Sequence, residues 1–165
     1  MSSHSPIVHQ FYEPFQLPDR ASPAGESIAR QLHDEPLIWL TTVDEQGTPQ
    51  PLPVAFVWDE VQSTLLIYSA PEGERDRLAH IRRNPRVALH FDGSGKDIIV
   101  ITGEAFVSPD DPPSDQLPAW VGKYQDFFTR LGMTLRQAAA GAPVALRIRP
   151  LTLRYVPTPT GTGRR

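Results

Sequence analysis

The residues best suited to bind a ligand lie in the segment from Tyr68 to Arg77. Ser69 offers a hydroxyl, and Arg75 and Arg77 offer guanidinium groups, which bind phosphate oxygens through pairs of hydrogen bonds. The segment leaves a predicted strand and enters a predicted helix, where arginine is unfavourable beside the positive end of the helix dipole. Two arginines there favour a phosphate-binding site. The alternative is a solvated surface on which nearby carboxylates neutralise them, namely Glu72, Glu74 and Asp76.

Other catalytic motifs find little support in the sequence. The chain has no Cys, which excludes a disulfide, a thiolate metal site and a cysteine nucleophile. The Gly93–Lys96 segment lacks the first glycine of a phosphate loop and has Asp97 where that loop has Ser or Thr, so a turn is predicted. The spacing of the His residues does not fit a metal site. Paired carboxylates fall at predicted turns, where we expect them to be solvated: Asp59/Glu60 and Asp110/Asp111.

Composition narrows the class of protein. The 165 residues are 39% hydrophobic and 21% charged, as in globular proteins, and a net charge of −3 argues against nucleic-acid binding as the main role. Of the 16 basic residues, all but Lys96 and Lys123 are Arg, which is typical of a GC-rich genome. No apolar run approaches the roughly 20 residues of a membrane helix, and no targeting signal is recognisable. We therefore expect a cytoplasmic protein that binds neither nucleic acid nor a membrane.

Hydrophobic periodicity predicts about six strands and several short helices. The first three strands are expected to form an antiparallel meander, and the whole a mainly β protein with short helices (α+β) built on a small antiparallel barrel. The predicted divisions are a loosely structured N-terminal arm at 1–24, a barrel domain at 25–157 and a flexible tail at 158–165. Strands are predicted at 37–43, 51–58, 64–69, 87–91, 98–107 and 144–156, and helices at 24–35, 75–84, around Trp120 and Tyr124, and at 134–140.

Two blocks of sequence carry a resemblance to a known family. One runs from Trp39 to Val54 and contains the alternating prolines of TPQPLPV, and the other, Ile81 to Phe91, is IRRNPRVALHF. With Phe56–Asp59 and Leu66–Ser69, they resemble the flavin/deazaflavin oxidoreductase superfamily, and most closely its actinobacterial branch of coenzyme F-420-dependent reductases. The resemblance implies a split β-barrel like that of pyridoxamine 5'-phosphate oxidase and of FMN-binding proteins. It also implies a homodimer with cofactor sites at the dimer interface.

The same resemblance assigns cofactor-binding residues. One strand would lie along the flavin or deazaflavin ring, and it comprises Pro53, Val54, Ala55 and Phe56. A second group would lead to the phosphate, namely Tyr68, Ser69 and Ala70. Arg77 occupies the position where relatives usually have a phosphate-binding lysine, with Arg75 as a helper, and Ala55 stands where relatives commonly have an aromatic residue.

The function that this implies is hydride transfer between coenzyme F-420 and a small unsaturated or conjugated substrate. FMN is the alternative cofactor, with oxidase or reductase chemistry, and a non-catalytic cofactor- or haem-binding protein is the second alternative. The cofactor would carry the redox step while the protein orients it. No catalytic residue is assigned, although Tyr68 or His80 could deliver a proton if the geometry permits.

Overall fold

The computed structural model describes residues 10–12, 15–71, 76–94 and 96–159. Its eight strands form one sheet in which every neighbouring pair is antiparallel. The order is β3-β2-β6-β7-β8-β5-β4, and β1 pairs with β8 beside this path. The strands are β1 (Gln10–Tyr12), β2 (Ile38–Val43), β3 (Pro49–Val54), β4 (Val57–Asp59), β5 (Thr64–Ser69), β6 (Arg86–His90), β7 (Ile98–Val107) and β8 (Val144–Val156).

The sheet curls into a half-barrel because its two edge strands are adjacent in sequence. β3 and β4 lie at opposite ends of the strand order, yet only Ala55 and Phe56 separate them. The 13-residue β8 spans the curl, pairing with β5 through its first half and with β1 through its second half, while β7 lies along its other side. The predicted antiparallel split-barrel fold is confirmed.

The predicted strand 51–58 is wrong as a single strand, and so is the meander. The chain forms two hairpins instead, β2–β3 and β4–β5, and β5 pairs with β8 on its other side. Tyr124 fixes the crossing between them. Its hydroxyl accepts a hydrogen bond from the Phe56 N–H at 2.8 Å and lies 2.8 Å from the carbonyl oxygens of Phe56 and Pro36.

The register of β7 and β8 shifts between Thr102 and Gly103, because Thr102 pairs with Thr152 and Gly103 with Pro150, which leaves Leu151 as a bulge in β8. A Cβ atom on Gly103 would lie 2.7 Å from the carbonyl oxygen of Arg149, so this close approach of two strands requires glycine. The extra residue shifts the inward phase of β8, so that Leu146 and Ile148 before it and Leu153 and Tyr155 after it all lie in the inner core.

Four α-helices and one 3₁₀ turn lie around the sheet in the part of the chain that the structure describes. In the first helix Ile28 and Leu32 are buried, as their spacing predicts, and the Ser22 hydroxyl caps its start by accepting from the Gly25 N–H at 3.0 Å. None of the described helices is long and apolar enough to cross a membrane. The helices are α1 (Pro23–Asp34), α2 (Arg77–Arg83), α3 (Pro118–Arg130) and α4 (Leu135–Gly141), and the 3₁₀ turn is Ser114–Gln116.

The apolar residues divide into two clusters on the two faces of the curled sheet. The larger fills the inside and is closed by α1 and α2. The smaller lies between α3 and the outer face of β4, β5 and β8, where Trp120 and Tyr124 are buried against Tyr68 and Leu66. Trp120 and Tyr124 therefore pack within their own chain.

A buried ion-pair network joins the segment between β7 and α3, residues 108–117, to the sheet. Arg147, on the outer face of β8, is 6% exposed and donates two hydrogen bonds to Asp111 at 2.6 and 2.7 Å. It also donates to Asp59 and Thr64, both at 2.8 Å. The expectation that Asp59 and Asp111 are solvated turn residues is wrong, because both are ion-paired to one buried guanidinium.

Candidate functional site

Ser69 and Arg77 meet where β5 ends and α2 begins. Nη1 of Arg77 donates to the buried Ser69 hydroxyl at 3.4 Å, and Ala70 beside them is exposed. Arg77 is half-buried, and burial lowers the pKa of its guanidinium. Five residues are predicted to bind or approach the phosphate, and the structure brings three of them together, namely Ser69, Ala70 and Arg77. Tyr68 is not part of this group, and Arg75 lies outside the described residues.

Arg77 forms no salt bridge among the residues that the structure describes. Burying a charged group without a counter-ion is unfavourable, so a partly buried guanidinium whose one described side-chain partner is a hydroxyl is suited to binding an anionic ligand. The start of α2, by contrast, is already satisfied. The Asp76 carboxylate accepts from the Ala79 N–H at 3.0 Å and supplies the negative charge that the helix dipole favours.

Tyr68 lies on the other side of β5 from Ser69, because successive residues of a strand face opposite ways. Its ring meets Trp120 edge-on, with centroids 4.9 Å apart, and its hydroxyl donates to the Pro112 carbonyl at 2.6 Å. Burial and the nearby Asp111 carboxylate raise the pKa of Tyr68 to about 12. Tyr68 is thus held protonated under α3 and is not grouped with Ser69 and Arg77.

The four residues expected along the cofactor ring divide into two kinds. Val54 and Phe56 are buried in the inner core, where the Phe56 ring lies 5.9 Å from that of Phe91. Pro53 is exposed on the edge strand β3, and Ala55 is partly buried at the crossing to β4. Only Pro53 and Ala55 of this group therefore have side-chain surface for a ligand.

An aromatic pair next to Pro53 was missed from the sequence. Trp39, 37% exposed, is opposite Pro53 in the β2–β3 register and stacks on His90 of β6 with an interplanar angle of 7°. The signal was present, because Trp39 is out of phase with the buried Ile38 and Leu40. The pair belongs to the exposed outer face of β3, β2, β6 and β7, here called the open face.

His80 faces β2 rather than open space. Its Nδ1 lies 2.9 Å from the Thr42 hydroxyl, an arrangement that holds the ring against the sheet. Among the described residues, no three His, Asp or Glu side chains are grouped so as to hold a metal ion. Neither proton-donor candidate, Tyr68 or His80, is thus placed beside Arg77 by a described contact.

Comparisons with known proteins agree on the fold. The family model described as pyridoxamine 5'-phosphate oxidase matches residues 24–157. Similar solved structures include an F-420 reductase (22% identity, 75% of this chain and 94% of that chain, TM-score 0.52). An FAD-binding protein from Mesorhizobium loti is 16% identical over 93% and 100% of the chains, with TM-score 0.53.

A conserved hypothetical protein from Mycobacterium tuberculosis has the same fold. It is 15% identical over 92% of this chain and 98% of that one, with TM-score 0.63. No curated protein matches significantly. At these identities the likeness to solved structures shows a shared fold and no more.

Proposed function

We propose that this chain, a member of the pyridoxamine 5'-phosphate oxidase family, is an oxidoreductase that uses coenzyme F-420 for hydride transfer to a small unsaturated substrate. The family and its fold support a flavin-type cofactor. The observation that carries the proposal further is the Ser69–Arg77 pair, a partly buried cation with no described counter-ion. Both F-420 and FMN contain phosphate, which is the group that this pair would hold.

The residues present fit such a cofactor at two points. Arg77 and Ser69 would bind phosphate oxygens, with Ala70 leaving the approach open. Pro53 and Ala55 would contact the ring, while the buried Val54 and Phe56 hold the strand in place. When bound, the cofactor would supply the hydride chemistry, and the protein would position it and exclude water. The protein then needs no proton donor at Tyr68, which stays protonated and whose hydroxyl donates a hydrogen bond to the Pro112 carbonyl.

Titration of the purified chain with F-420 and, separately, with FMN tests the cofactor. We expect F-420 to bind more tightly, seen as a change in its fluorescence, because its oligoglutamate tail can use the many surface arginines. Tight FMN binding with no response to F-420 would overturn the choice of cofactor and leave the flavin-type site standing. A dimer that binds neither F-420 nor FMN would overturn the flavin-type site and leave haem binding as the remaining alternative.

The open face supports a homodimer in which a second copy of the chain covers it. Trp39, Ile98 and Phe106 are large apolar side chains on this face, each 37–45% exposed. Its charges are largely paired across strands, since Glu104 of β7 lies between Arg86 and Arg149 and forms salt bridges with both. An apolar face with internally neutralised charge suits a self-complementary contact. α2, the described helix that contacts β2 and β7, packs on the opposite, inner face of the sheet, where Leu78 and Ile81 join the core.

Trp39→Asp should weaken the dimer by about 2 kcal/mol or more, roughly 30-fold in its dissociation constant, since a buried Trp is a common anchor of interfaces. Sedimentation velocity over a concentration series would measure the change. Val61→Asp is the matched control, because Val61 is 95% exposed in the β4–β5 turn and away from the open face. A Trp39→Asp variant that stays as dimeric as Val61→Asp would place the interface elsewhere.

A further inference from the structure

A separate cleft of about 810 Å³ lies between α1, β4 and the start of α3. Its apolar lining includes Leu32 of α1 and Val57 and Trp58 of β4. Charged and titratable groups around it are Arg20, His33, Asp34, Glu60 and Lys123. None of the predicted cofactor-binding residues that the structure describes lines this cleft, and a volume of this size falls in the range of small-molecule sites.

Lys123 is the one nucleophilic amine that lines the cleft. Its Nζ donates to the Phe56 carbonyl at 2.9 Å and lies 3.7 Å from the centroid of the Phe56 ring. Lys123 forms no salt bridge among the described residues, although Arg20 and Glu60 pair with each other at the same cleft. A neutral amine keeps this arrangement, since it can still donate one hydrogen to the carbonyl oxygen.

Burial raises the neutral fraction of this amine above that of an exposed lysine, while the Phe56 ring and the Phe56 carbonyl stabilise its protonated form. Burial lowers the pKa of Lys123 to about 8, and the charges of Asp34 and Glu35 only partly oppose this. His33 is held by Asp34, with Nδ1 2.8 Å from Oδ1. With a pKa of about 8, a minor part of Lys123 is unprotonated at pH 7.5, and this neutral part is the form that can act as a nucleophile.

We propose that this cleft binds a small aldehyde or ketone with an apolar body and that Lys123 captures its carbonyl group as an imine. The Nζ lone pair attacks the carbonyl carbon, the C=O π electrons move to oxygen, and a proton passes from the nitrogen to that oxygen to give a carbinolamine. Loss of water then forms the C=N bond. The step consumes one amine and one carbonyl, releases one water, and needs no oxidant or reductant. The apolar lining provided by Val57, Trp58 and Leu32 would hold the body of the ligand.

The chain offers an internal reference for the test, since Lys96 is its only other lysine. Lys96 lies in a salt bridge with Glu35, outside the cleft. The full chain would be incubated at pH 7.5 with benzaldehyde and sodium cyanoborohydride, which reduces the imine to a stable benzylamine. Peptide mapping by mass spectrometry would give the labelling rate of each lysine as a function of benzaldehyde concentration.

We expect Lys123 to be labelled at least about tenfold faster than Lys96, because Lys123 has a lowered pKa and lines the cleft, whereas the Lys96 amine is held in a salt bridge with Glu35 outside it. The rate at Lys123 should also saturate with benzaldehyde, as binding before reaction requires, and unfolding the chain in urea should abolish the preference. Lys96→Arg, which leaves Lys123 as the only lysine, should label at the same rate. Equal or slower labelling of Lys123 would overturn the proposal. Fast labelling that rises linearly without saturation would overturn it too, since that marks a reactive amine without a binding site.

Discussion

Arg147→Met should lower the free energy of unfolding by about 3–5 kcal/mol, the range found when one partner of a buried ion pair is removed. The substitution leaves the carboxylates of Asp59 and Asp111 partly buried without their shared cation. Methionine approximates the length of the arginine stem, so the packing is largely kept. The lost free energy of unfolding therefore measures the contribution of the guanidinium charge and its hydrogen bonds. Urea unfolding followed by Trp fluorescence measures it.

Arg149→Met is the matched control two residues along the same strand. Its side chain is 63% exposed and its partner Glu104 also pairs with Arg86, so we expect a loss below about 1 kcal/mol. If Arg147→Met does not fold, Asp111→Asn offers a milder change, with an expected loss of about 1–3 kcal/mol. If Arg147→Met and Arg149→Met lower the free energy of unfolding equally, the buried network stabilises the fold no more than an exposed ion pair does.

The network also predicts a pH dependence. Hydrogen bonds from Arg147 hold the pKa of Asp111 below its ordinary value. Burial alone would raise the pKa of Asp59, but hydrogen bonds from the Gln62 amide and Arg147 outweigh it, and this pKa is lowered too. Lowered carboxyl pKa values give stability that is complete above the unfolded value near 4 and is lost as the pH falls through the folded values. The stability of Arg147→Met should therefore fall less between pH 5 and pH 3 than that of the parent chain.

Local sequence pattern predicted most of the elements but not their pairing. β5, β7 and β8 begin and end at the predicted residues, because alternation and β-branched residues are local signals. No local sequence signal marks the point at which the predicted strand 51–58 divides into β3 and β4. The division arises because Val54 and Val57 pair with different strands, at opposite ends of the sheet order. On its second side β5 pairs with β8, which lies almost 80 residues further along the chain, so local sequence could not predict this pairing.

The same limit explains the residues that were misjudged. Arg147 follows the outward phase of β8, which alone predicts a solvated side chain, but α3 and the preceding connector cover that part of the outer face. Its partners Asp59 and Asp111 are 88 and 36 residues away in sequence. The family resemblance groups Tyr68 with Ser69, whereas the strand places these two neighbours on opposite faces of the sheet. The Ser69–Arg77 contact, only eight residues apart, was within reach of local reasoning.

Arg77→Ala should weaken cofactor binding by about 10- to 100-fold. A hydrogen bond to a charged group contributes about 1.5–3 kcal/mol, and this side chain is the described cation closest to Ser69. Arg77→Lys keeps the charge but loses the fork of parallel donors, so a smaller loss is expected. The measurement is the dissociation constant of F-420, and of FMN, for each variant.

Stability separates a binding role for Arg77 from a structural one. Because Arg77 is partly buried without a described counter-ion, its removal should leave the free energy of unfolding of the ligand-free chain unchanged or slightly higher. Arg82→Ala is the matched control, since Arg82 is exposed in the last turn of the same helix and should change neither quantity. A role confined to the fold would give the opposite pattern, with Arg77→Ala unfolding more easily while the folded variant binds cofactor as tightly as the parent chain. Retained stability with lost affinity is expected only if the guanidinium is held at this position for an anion that the cofactor brings.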